Sequence, residues 1–126
     1  MILELDERFV NKDVRESHYN THVLRGKRYE KEVFQGIDID EYERMADELA
    51  TKPIDNKRIF GYVSKDADGT INNVKWDKSN GLFVAYRYDQ NNHIPLVKSC
   101  YVKSYRDYFA DKSQQYMDEI GIEQFY

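Results

Sequence analysis

The chain predicts an α+β domain, with N-terminal helices packed on a four-stranded antiparallel meander sheet and a C-terminal helix closing the fold. Three observations carry this. Apolar residues recur at helical spacing up to residue 51, and from residue 59 the period changes to two. Polar turns then separate strands that begin roughly every 11–12 residues, the rhythm of adjacent antiparallel strands. The 126 residues, 40% of them hydrophobic, suit one domain with a real core and no need of disulfide or metal staples.

Residues 1–24 read as one helix. Val10, Val14, His18 and His22 recur every four residues, Phe9 widens the stripe, and Lys12, Asp13, Arg15 and Glu16 fill the remainder. Gly26 is well placed as a helix stop. Residues 25–37 are mixed and end at Gly36. Residues 39–51 read as a second helix. Asp38 followed by Glu41 resembles a capping box, Tyr42, Met45, Ala46 and Leu49 share a face, and Pro53 follows the end. A polar connection spans 52–57.

Four strands follow, at 59–63, 70–76, 82–88 and 93–102. Asp66-Ala67-Asp68-Gly69, Asp77-Lys78-Ser79-Asn80-Gly81 and Asp89-Gln90-Asn91-Asn92 are the turns between them. On the third strand Leu82, Val84, Tyr86 and Tyr88 alternate with Phe83, Ala85 and Arg87. Pro95 cannot donate to a ladder, so it predicts an edge or a bulge in the fourth strand. Ser104 opens the last helix, with Asp107 placed to cap back. Tyr105, Phe109, Lys112, Tyr116 and Ile120 follow at helical spacing, and Tyr108 broadens their face.

Composition narrows the function. The net charge is −4, from 19 basic and 23 acidic side chains, so nucleic acid cannot be held by bulk charge and would need a local basic patch. The single cysteine, Cys100, forms no internal disulfide, which suits a reducing compartment. With no activating group nearby in sequence, it reads as a small buried apolar residue. No apolar run is long enough to span a membrane. Residues 1–10 carry four charges, against a signal peptide. The expectation is a chain that is cytosolic as made or a domain of something larger.

Two of the three histidines, His18 and His22, stand four apart, so a helix projects both imidazoles from one face. Three readings are open. The pair can divide base and acid roles. It can clasp zinc, although Tyr19 stands where the metalloprotease motif needs Glu. Or one ring is half-core and the other exposed. Directly after the pair come Arg25, Lys27, Arg28 and Lys31 around Tyr29, a set suited to phosphates and a stacked base, or to a solvated surface. Lys75, Arg87 and Lys98 lie on strands, where an inward-facing cation needs an anion or another partner. Ser99, Tyr101 and Ser104 supply hydroxyls near the end of the fourth strand. His93 opens that strand, as a third imidazole or a solvated one. No phosphate-binding glycine loop, dinucleotide fingerprint or nucleophile elbow occurs.

The order of these motifs has a family likeness. An H-Y-x-x-H arrangement (His18, Tyr19, His22) precedes a helix with Ile37, Glu41, Tyr42, Ala46 and Leu49. A hairpin with Trp76, Asp77 and Phe83 follows. Over roughly residues 15–103 this resembles the small toxin nucleases of the barnase–EndoU–colicin–RelE superfamily. Such domains are carried on phage proteins and on polymorphic or contact-dependent inhibition toxins. The resemblance implies a metal-independent ribonuclease, without cofactor, acting on RNA, with tRNA among its candidate substrates, in the bacterial cytoplasm. It would be delivered there as the C-terminal domain of a larger secreted or phage protein and silenced at source by a cognate immunity protein.

Carried over by position, His18 and His22 are the acid and base. Arg25, Lys75 or Lys98 would stabilise the phosphorane. Pro95 stands where a hydroxyl is expected, so Ser99, on the alternation 95, 97, 99, takes that part. Lys27, Arg28, Tyr29, Lys31, Arg87 and Tyr101 would bind substrate. The competing expectation is a non-catalytic acidic, tyrosine-rich protein, itself an immunity protein or other inhibitor that caps a basic partner.

Overall fold

Local signals account for most of the elements. A computed structural model describes residues 8–65, 67–89 and 94–119. The first helix starts later than its apolar stripe suggests, because Asn11 caps it: its side chain accepts the Val14 N–H at 2.8 Å. Helix α1 is Lys12–Tyr19. It widens into a π-helical turn at Asn20–Leu24, closed by the bond from Arg25 N–H to the Asn20 carbonyl at 2.9 Å. The segment read as mixed holds a second helix, α2, Arg28–Phe34, stopped by Gln35 and Gly36, both at positive φ. Helix α3, Ile39–Thr51, is capped as expected, Asp38 accepting the Glu41 N–H at 2.8 Å.

The strands are β1 Ile59–Lys65, β2 Ile71–Asp77, β3 Leu82–Tyr88 and β4 Pro95–Val102, in the order β1-β2-β3-β4, all antiparallel. Pro95 therefore sits on an edge strand. That edge is covered in part by the chain's start: Arg8 and Val10 bond Val97 on either side of a parallel bridge from Phe9. Helix α4 is Tyr105–Glu119, its first turn capped by Ser104, whose hydroxyl accepts the Asp107 N–H at 3.1 Å. Of the sequence expectations, residues 1–7 of the first helix, the turn residues Asp66, Gln90, Asn91 and Asn92, His93 and Ile120 lie outside the described residues.

Both sheet faces are covered, which is why β3 is apolar on both sides. On one face Leu82, Val84, Tyr86, Val97, Cys100 and Val102 pack with Phe34, Tyr42, Ala46 and Leu49 of the helices. Tyr42 is fully buried and donates to the Cys100 carbonyl. On the other face Tyr62, Val74, Trp76 and Phe83 meet α4, and Tyr108 stacks on Trp76 at 4.7 Å and 9°. Tyr108 is thus the residue that docks α4, while Tyr105 is exposed.

The β3–β4 ladder slips between Ala85 and Tyr86, which pair with Ser99 and Val97 and leave Lys98 as the extra residue. The slip inverts the alternation: Val97 and Cys100, three apart, enter the same core. Ser99 is therefore not on the face of Val97, contrary to the alternation 95, 97, 99.

Candidate active site

The π-helical turn, α2 and the end of β4 bring chemistry together. Gly26 makes this possible. A side chain there would collide with the His22 carbonyl, so only glycine lets the chain turn this tightly into α2. Four residues on, in the first turn of α2, stands Glu30, buried at 4% exposure. One of its carboxylate oxygens accepts the Lys27 N–H at 3.4 Å, which caps α2. The other accepts from His22 Nδ1 at 2.7 Å. That bond fixes the ring and leaves Nε2 as the nitrogen open to a ligand.

The other flat face contacts of His22 are aromatic. Tyr101 of β4 stacks with it at 5.2 Å and 25°, and His18 at 5.5 Å and 15°. A cleft of about 810 Å³ opens beside the ring. His22, Arg25, Lys27 and Tyr29 form one wall; Trp76, Lys78, Tyr101, Lys103 and Tyr105 come from the sheet and the start of α4. Four of its lining side chains are Lys or Arg, against Glu30, which is engaged by His22, and Asp107. An acidic chain thus gathers positive charge at one place, where an anion would be held. Lys103 lies 3.5 Å from the Tyr101 hydroxyl, 4.5 Å from the centre of the Phe83 ring, and is ion-paired with Asp111.

The two histidines do not share a role. His18 is half-buried behind His22 and does not line the cleft. Its Nδ1 is buried without a hydrogen-bond partner, and burial, then the neighbouring His22, lowers its pKa. Burial thus disfavours its charged form. Of the two expected acid–base candidates, only His22, held by a carboxylate, lines the cleft.

Lys75 is also elsewhere. It lies on the helix-covered face and donates to the Ala50 carbonyl at 2.8 Å and to the Lys52 carbonyl, which satisfies the C-terminal end of α3. Burial lowers its pKa. Arg28 and Lys31 are exposed on α2, Arg28 paired with Glu32 at 3.3 Å, and neither lines the cleft. Arg87 is exposed near the far end of β3. Lys98 and Ser99 line a separate, smaller cleft, which shares Tyr101. Cys100 is fully buried, and burial raises its thiol pKa, consistent with an inert core residue.

Glu30, Lys78, Lys103, Tyr105 and Asp107 were not expected from the sequence as residues of the site. Only Glu30 left a local sign, an acidic residue in the first turn of a helix that follows a glycine. Among the described residues no group of three or more His, Cys, Asp or Glu is placed to hold a metal ion, and no helix is long and apolar enough to cross a membrane. No protein-family model matches the chain, and neither a curated protein nor a solved structure matches it.

Proposed function

We propose that the protein is an RNA-cleaving toxin domain with His22 as its base. The observation that supports this is one ring: an imidazole tied at Nδ1 to the buried Glu30, with Nε2 open beside a cleft lined by Arg25, Lys27, Lys78 and Lys103. Nε2 takes the proton of a ribose 2′-hydroxyl. The 2′-oxygen bonds to phosphorus as the bond to the 5′-oxygen breaks. The leaving oxygen takes a proton from the Tyr101 hydroxyl, beside Lys103, and protons exchanged with water then restore both side chains. The cleft cations offset charge on the phosphorane. Glu30 holds the tautomer and favours the imidazolium as it forms, the part a carboxylate plays behind a catalytic histidine. The product ends in a 2′,3′-cyclic phosphate, and DNA, which lacks the nucleophile, is inert. No step requires a metal ion. In the same reading the domain acts in a bacterial cytoplasm, and a cognate immunity protein silences it by covering the cleft, with Tyr29, Tyr105 and Arg25 as its contacts.

Purified protein incubated with total RNA in EDTA tests this. Fragments should end in cyclic phosphate, and His22→Ala should lower the rate by on the order of 10²–10⁴ with the fold intact. Intact RNA, or full activity in His22→Ala, would overturn the assignment. An inert protein that binds a basic partner would instead favour the inhibitor reading.

A further inference from the structure

The second cleft, of about 470 Å³, lies on the same sheet face as the aromatic contacts of α4 and shares Tyr101 with the first. Lys103 lines one cleft and Asp111 the other, and their ion pair links the two. The volume is that of a small-ligand pocket. Tyr62 and Phe83 give it apolar wall, Lys98 and Ser99 give it a cation and a hydroxyl, and Asp111, the acid among its lining residues, is engaged by Lys103.

How Lys98 and Ser99 come to line one cleft is informative. Neighbours on a regular strand point to opposite faces. Here the slip opposite Ala85 and Tyr86 makes Lys98 an extra residue, so both side chains reach the same side. Bulges recur beside active sites because they re-aim a side chain in this way. The two clefts then repeat one chemistry on either side of Tyr101: aromatic surface with a cation beside it. That combination suits the bases and phosphates of an unpaired strand, whose bases are free to leave the stack.

We infer that the ligand is single-stranded RNA running across Tyr101, with the cleaved phosphate in the His22 cleft and the adjoining nucleotide in the second cleft, where Lys98 meets its phosphate. The identity of the strand rests on the ribonuclease reading. The path itself is tested without cleavage, using fluorescein-labelled 2′-deoxy oligonucleotides, which bind but lack the reacting hydroxyl. A deoxytetranucleotide should bind wild-type protein about tenfold or more tighter than a deoxydinucleotide, because it fills both clefts. A duplex of the same sequence should not show that gain. Lys98→Ala should erase the gain and leave dinucleotide binding unchanged, while Lys98→Arg should keep it.

No gain with length in the wild type, or a full gain in Lys98→Ala, would overturn the path. The two readings separate cleanly. A Lys98-dependent gain in a protein that cuts no RNA keeps the path and removes the ribonuclease. RNA cleavage lost in His22→Ala, with no gain from length, does the reverse.

Discussion

Replacing Glu30 by Gln tests how the cleft works, because it changes one charge and almost no volume. Glu30 and His22 are 2.7 Å apart, with side-chain exposures of 5% and 20%. Hydrogen bonds to a charged partner contribute about 1.5–3 kcal/mol when shielded to this degree, well above the ~0–1 kcal/mol of surface ion pairs. If Glu30 acts on the imidazolium as it forms, that energy is expressed in the transition state. A decade of rate corresponds to about 1.36 kcal/mol, so Glu30→Gln should lower kcat by roughly 10- to 100-fold with little change in KM. The glutamine oxygen can still accept the Lys27 N–H, so α2 keeps its cap and the unfolding midpoint should move little. Glu30→Ala should lose both the rate and the cap, the latter about 1 kcal/mol.

Initial rates on a short RNA and urea unfolding separate the two effects. Nitrogen-15 shifts of His22 give a readout independent of turnover: the neutral ring should carry its proton on Nδ1 in the wild type and lose that preference in Glu30→Ala. A Glu30→Gln protein with the wild-type rate would refute the role given to Glu30.

Other expectations follow from packing and burial. Tyr108→Ala removes the ring that stacks on Trp76 at 4.7 Å and should cost about 3–5 kcal/mol, with amide exchange in α4 accelerating first. Lys75→Met leaves the Ala50 and Lys52 carbonyls without their donor. It should destabilise by about 1–3 kcal/mol in urea while RNA cleavage is unchanged, and a catalytic defect in a folded Lys75→Met protein would refute its placement at the end of α3. His18 has a pKa below its ordinary 6.5 in the folded state, so the unfolded chain binds the proton more readily. Stability should be full above pH 6.5 and decline as pH falls below it, until the folded-state ring is also protonated. His18→Phe should flatten that part of the decline in a series of urea midpoints.

What the sequence determined by itself is what adjacent residues decide. The Asp38 cap of α3, the change to a period of two, the turn from Asp77 to Gly81 and the Ser104 cap each depend on groups within a few positions of one another, and each stands in the structure close to where it was expected. The Leu82, Val84, Tyr86 face belongs to the core as the alternation implies, and Cys100 is buried as its lack of an activating neighbour suggested. The same local logic misjudged α2, whose Arg28, Lys31 and Glu32 face water and leave only Val33 and Phe34 as an apolar signal.

Tertiary structure decided the rest, because function here depends on groups far apart in the chain. Helical spacing makes His18 and His22 equivalent; packing against Tyr101, 79 positions beyond His22, buries one behind the other and gives only His22 the cleft. A strand cation can face either way; the helix that covers Lys75 turned it into the partner of α3's last carbonyls. Lys78 and Lys103 carry no local mark, and become part of a positive cleft only where β2 and β4 end beside the loop before α2. One extra residue in β4, visible only against β3, aimed Lys98 and Ser99 together, since strand register is a property of a pair of strands and not of either alone.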